Sequence, residues 1–96
     1  MSRRAQFRFR LYVAGDSANS LQALANLNAL CETHLARRYE IEVVDVFRDP
    51  KRAMADGIFL TPTLVKLAPV PLQRIVGTLS QTQIVLRTLG LDPAAP

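Results

Sequence analysis

Residues 58–65 read "IFLTPTLV". A Thr61-Pro62 step leads straight into an apolar run that continues through Leu67. Proline fixes its own φ and biases the preceding residue toward extended backbone. The step therefore marks the entry to a strand. "APVP" at 68–71 forces a turn, and "LQRIVG" at 72–77 supplies a second strand, predicted to pair with the first as a hairpin.

Upstream, Phe7, Phe9, Leu11 and Val13 alternate with Arg8, Arg10 and Tyr12, the period of a strand with one buried face. Gly15 and Asp16 end it, and Asp16 or Ser17 caps a helix that is expected to run to about Arg37. Leu21, Leu24, Leu27, Cys31 and Leu35 form its apolar stripe, with Gln22, Asn26 and Thr33 opposite. Arg37 and Arg38 suit the negative end of its dipole. "YEIEVVDVF" at 39–47 is nearly continuous in β-formers, the pattern of a strand buried on both faces in the middle of a parallel sheet. Asp49 as N-cap, Pro50 at the first helical position and Gly57 past the end bracket a short helix. After the hairpin, Ser80 and Gln83 have capping-box spacing. They open a last helix with Ile84, Val85, Leu86 and Leu89 apolar and Gly90 ending it.

The order is β-α-β-α-β-β-α, a single domain over 1–96 with frayed ends at 1–6 and 92–96. It is the thioredoxin order, and in thioredoxin-like folds the Thr-Pro step sits beside the active site. A redox member would carry Cys-x-x-Cys in the first strand-to-helix turn. Here that turn reads "AGDSANS", and the one cysteine of the chain, Cys31, lies on the apolar stripe, where it is expected to be a structural thiol. A single cysteine and a single histidine, His34, leave no metal-ligand set. Asp45, inside a strand, reads as a salt-bridged structural acid. No phosphate-cradling glycine motif and no nucleophile elbow is present. No cofactor and no catalytic residue is predicted.

Composition narrows the rest. In 96 residues, 49% are hydrophobic and 21% charged, which specifies a folded core rather than disorder. A domain of this size is modestly stable alone, so self-association is expected. The net charge of +4 is spread in small groups, Arg3/Arg4, Arg8/Arg10, Arg37/Arg38 and Arg48/Lys51/Arg52, among Glu32, Glu40, Glu42 and Asp49. This is a solvated surface rather than a nucleic-acid stripe. Arg8 and Arg10 interrupt the N-terminal apolar residues, and no run approaches the roughly 18 residues of a membrane span. Cytoplasmic location is the expectation, without membrane or nucleic-acid partners.

"LYVAGDSANSL", "VVDVFRDP", "TPTLVKLAPVPLQRIVGTLS" and "VLRTLGL", in this order and spacing over about residues 7–91, resemble the circadian clock protein family KaiB. The resemblance implies a non-enzymatic regulator that binds the KaiC ATPase ring and modulates its phosphorylation cycle. It also implies a homotetramer or dimer, and a metamorphic chain. The thioredoxin-like βαβαββα state is the one that binds KaiC, and the alternative βαββααβ fold is the family's ground state. Pro62, Pro69, Pro71, Thr88 and Gly90 are the positions the resemblance connects with that switch, and a cis Thr61–Pro62 bond would suit the thioredoxin-like state. The implied partner surface comprises Asp16, Asn19, Arg48, Asp49, Pro50, Lys51, Arg52 and Arg74. There are departures. Glu42 stands where clock members tend to be basic on the strand that meets KaiA. Gly57 replaces a common lysine, and Thr78 replaces an aspartate. These departures, with the absence of the acidic tail of cyanobacterial members, count against KaiA as a partner. The alternative is a thioredoxin-fold stress protein, redox or chaperone-like, without a clock role.

Overall fold

The computed structural model describes residues 6–91. The expected fraying at 92–96 and the Arg3/Arg4 pair lie outside them. Gln6, placed with the frayed start, is described, and its Oε1 accepts from Arg38 Nη1 at 3.0 Å.

The elements follow the predicted order: β1 (Phe7–Val13), α1 (Ala18–His34), β2 (Tyr39–Asp45), α2 (Pro50–Ala55), β3 (Thr63–Ala68), β4 (Gln73–Val76) and α3 (Thr82–Thr88). They build one mixed sheet of order β2-β1-β3-β4, in which β1 runs parallel to β2 and antiparallel to β3. β3 and β4 form the expected hairpin, Val65 facing Arg74 and Lys66 facing Gln73. This is the thioredoxin-like alternative, not βαββααβ. Thr61–Pro62 is cis, as are Ala68–Pro69 and Val70–Pro71.

One face of the sheet is apolar. Phe7, Phe9, Leu11, Val13 and Leu64 pack against Ala23, Leu27, Leu30, Cys31 and Leu35 on the α1 side and Val85, Leu86 and Leu89 on the α3 side. The other face carries a smaller cluster, Tyr12, Val44, Ala53 and Val65, under α2. Arg10 and Tyr12, placed by alternation on the open side of β1, are covered there.

Four expectations are corrected. β2 is an edge strand: it pairs with β1 alone, and of its apolar residues only Val44 is buried, Val43 being 46% exposed. A long apolar run reports side-chain chemistry, not the number of strands alongside it. Helix α1 stops at His34, three residues early, because Ala36 and Arg37 take positive φ. It is also rotated from the expected stripe. Ser20, Ala23, Leu27, Leu30 and Cys31 face inward, while Leu21 is exposed and Leu24 half-buried. Ser20 tolerates burial because its hydroxyl accepts from Ala14 N at 3.0 Å and lies 2.8 Å from Ser17 Oγ. Finally, the Ser80/Gln83 capping box does not form. The helix starts after Gln81, whose side chain makes no cap bond, and Ser80 Oγ pairs with Thr78 Oγ1 at 2.6 Å.

Candidate functional site

The C-terminal ends of β1 and β2 open into a groove of about 500 Å³ lined by Val13, Gly15, Asp16, Ser20, Leu21, Leu24, Val43, Val44, Asp45, Arg48, Asp49 and Arg52. Its rim is built by two turns that share one carboxylate. Asp45 Oδ1 accepts from Gly15 N at 3.1 Å and from Phe47 N at 2.9 Å, so one acid ties the β1–α1 turn to the β2–α2 turn. Satisfying two free amides gives Asp45 the structural role expected of it. Gly15 sits at φ +53, a conformation other residues rarely adopt, and the Phe47 ring lies over it. Ser17 caps α1, accepting from Ser20 N at 3.3 Å. Asp49 takes the N-cap position of α2 without a side-chain cap bond, and Pro50 follows at the helix start.

Four of the predicted partner-binding residues, Asp16, Arg48, Asp49 and Arg52, line this groove together. Asn19, Pro50 and Lys51 are exposed but do not line it. Arg74 stands elsewhere, on β4, where its guanidinium donates to the carbonyls of Asp56 and Gly57 (3.2 Å to the latter) and struts the C-terminal end of α2. Of the switch positions, Pro62 is buried ahead of β3, and Pro69 and Pro71 are exposed in the hairpin turn. Thr88 ends α3 half-buried, and Gly90 follows at φ +75.

A polar network that sequence reasoning did not assemble lies beside the groove. Arg10 and Glu42 face each other on the parallel β1 and β2. Arg10 Nε donates to Glu42 Oε1 at 2.8 Å, and Arg10 Nη1 donates to Asp56 Oδ2 at 3.1 Å. Arg52 Nη2 lies 2.7 Å from Glu42 Oε2. The fully buried Tyr12 donates its hydroxyl to Asp56. The hydrogen bond from Arg10, then that from Arg52, holds the Glu42 carboxyl below its ordinary range. Arg48 is the contrasting cation: its side chain is 89% exposed and, among the described residues, a 3.9 Å contact to Asp45 Oδ2 is its one ion pair. Opposite charges at facing positions of neighbouring strands were the available signal, but the register that makes them face each other is a tertiary fact.

The site carries no thiol. Cys31 is buried in the α1 core, and burial pushes its pKa up to about 12. Among the described residues no helix is long and apolar enough to cross a membrane.

Comparison with known proteins places this geometry. A family model described as KaiB domain matches residues 10–91. The chain belongs to the KaiB family. It is 48% identical over 83 residues to circadian clock protein KaiB3 of Synechocystis sp., covering 86% of this chain and 79% of the relative. It is 44% identical over 92 residues to circadian clock oscillator protein KaiB of Prochlorococcus marinus, covering 96% and 76%. Among solved structures, the chloroplastic thioredoxin z superposes with a TM-score of 0.75 at 22% identity, over 92% of this chain and 80% of that one. The N-terminal domain of Synechococcus elongatus SasA gives 0.71 at 18% identity, over 100% and 94%. These two likenesses speak for the fold, and they agree with the βαβαββα order seen in this KaiB-family chain.

Proposed function

We propose that this chain is a non-enzymatic timing regulator that docks through the groove and α2 onto a KaiC-type ATPase ring and modulates its phosphorylation cycle. The observation that carries the reading is the convergence of Asp16, Arg48, Asp49 and Arg52 on one groove. Membership of the KaiB family and the clock names of its relatives support it. Asn19, Pro50 and Lys51 extend the docking face, and Arg74 acts behind it by supporting α2. In this reading the thioredoxin-like state is the docking-competent one. The free chain adopts the family's alternative fold as a homotetramer or dimer in the cytoplasm, and Pro62, Pro69, Pro71, Thr88 and Gly90 lie in the half that rearranges. The departures at Glu42, Gly57 and Thr78 count against KaiA as a partner.

The test is size-exclusion chromatography with light scattering, on the protein alone and after hours with KaiC and ATP. An oligomer that slowly transfers to the KaiC hexamer supports the reading. An oligomer that never transfers, in either nucleotide state, overturns it. The thioredoxin-fold stress protein is tested separately by insulin reduction. Equal absence of activity in the parent and in Cys31→Ser removes its redox form, as the buried, high-pKa thiol predicts.

A further inference from the structure

Helix α2 has little apolar attachment. It is six residues long and contributes one buried residue, Ala53. Helices of this length are marginal without tertiary support, and burying a single alanine supplies little of it. Met54 is exposed to solvent. What ties the helix to the sheet is polar. Its C-terminal end is held by Asp56 to Tyr12 and Arg10, and its middle is held by Arg52 to Glu42. Of these anchors Glu42 is distinctive. It sits on the edge strand, with no strand beyond it among the described residues, and its two oxygens are divided between two elements, Oε1 to Arg10 of β1 and Oε2 to Arg52 of α2.

We infer that Glu42 is a positioning residue of the docking face. By dividing one carboxylate between Arg10 and Arg52 it fixes α2 over the sheet edge, in the pose that presents Arg48 and Lys51 to an acidic partner surface. The consequence for charge is specific. Arg10 and Arg52 are neutralised internally, so Arg48 and Lys51 are the cations of this region left for a partner, and both are exposed. The inference rests on the docking reading for its functional half, whereas the positioning half stands on the fold alone.

Amide hydrogen exchange on the full chain separates the two halves. Ala53 N donates to Asp49 O at 3.2 Å and Asp56 N to Arg52 O at 3.1 Å, so both amides report on α2. In Glu42→Gln their exchange is expected to quicken, by up to about fivefold, as loss of a partly exposed pair within a local opening unit implies. Leu89 N, bonded to Val85 O at 3.0 Å in α3, is expected to be unchanged. Glu42→Asp is one methylene shorter. It keeps Arg10, which it faces, and releases Arg52, so it is expected to quicken α2 as Glu42→Gln does. Unchanged α2 exchange in both variants would overturn the inference, because Asp56 would then suffice. Binding to the KaiC ring completes the test. Glu42→Gln and Arg52→Gln are each expected to weaken affinity about fivefold, and the double variant no more than either alone. Losses that add, or an undiminished affinity in Glu42→Gln, would sink the positioning role in docking. If the parent itself does not bind the ring, the docking reading fails, and the exchange measurements still decide what Glu42 does.

Discussion

Beneath α1 and α3, fourteen of the described residues form one buried apolar cluster. Beneath α2, four do, and arginines and carboxylates complete the contact. Both helical layers cover the same strands, β1 and β3, so the contrast is between two ways of attaching a helix to one sheet. Apolar burial is strong, is not screened by salt as an ion pair is, and is indifferent to pH. A shared, partly exposed ion network is weak, screened and titratable. The first arrangement holds the fold together. The second sets down a short helix that a partner or a change of conditions can shift at small cost. The groove lies between the two, with Asp16, Ser20, Leu21 and Leu24 from the α1 side and Arg48, Asp49 and Arg52 from the α2 side, and the exposed cations Arg48 and Lys51 lie on the side of the second.

The contrast breaks first if its strong side is weak. Leu27 is fully buried between α1 and the sheet, and Leu27→Ala is expected to cost about 2–5 kcal/mol in urea unfolding. Met54→Ala on α2, where the side chain is exposed, is expected to fall within about 0.5 kcal/mol of the parent. Comparable losses at the two positions would mean that α2 is held by apolar contact after all. The next largest effect tests the buried end of the polar side. Tyr12→Phe removes the hydroxyl that meets Asp56 without opening a cavity. Because Asp56 keeps Arg10, the expected loss is about 1 kcal/mol. A loss as large as that of Leu27→Ala would move Tyr12 into the same class as the core.

This division also explains what could be read from the chain. The apolar face was legible because its signals are local. Phe7, Phe9, Leu11 and Val13 keep period 2, Thr61-Pro62 and the prolines 69 and 71 punctuate the hairpin, and Asp49-Pro50 with Gly57 brackets α2. Gly57, at φ +68, ends that helix as a glycine should. Facing was less legible. Leu21 and Leu24 have helical spacing, yet the helix turns the smaller Ser20 and Ala23 inward, since close approach to the sheet suits small side chains and the serine hydroxyl is satisfied locally. The position of β2 at the edge depends on strand order, which composition does not encode. Of the groove, Asp16, Arg48, Asp49 and Arg52 came from the family's motifs, and the network behind it did not. Glu42 and Asp56 lie 32 and 46 positions from Arg10; the parallel register brings Glu42 to it, and the placement of α2 over the sheet brings Asp56.

The smallest effect is the most discriminating, because it belongs to the polar face alone. Glu42 has its pKa depressed in the folded chain, by the Arg10 hydrogen bond first and the Arg52 hydrogen bond second. A depressed carboxyl contributes stability that is fully present above its unfolded pKa, roughly 4.3, and is lost as pH falls through the folded value. Arg10, whose pKa is raised chiefly by its Glu42 bond, stays charged throughout this window, so the carboxylate alone titrates. The stability difference between the parent and Glu42→Gln is therefore expected to be constant above about pH 5.5 and to shrink toward zero below about pH 4. Glu42 is 43% exposed, so the plateau is expected within the roughly 0.2–1 kcal/mol of screened surface pairs, and to fall further in molar salt. Chemical unfolding of both proteins at matched pH and salt measures it. Leu27→Ala run in parallel supplies the comparison: its loss relative to the parent is expected to be the same at pH 4 and pH 7, because no titrating group enters that contact. A Glu42 difference that is flat with pH, or that grows on acidification, would mean that α2 is not held by the ionised carboxylate.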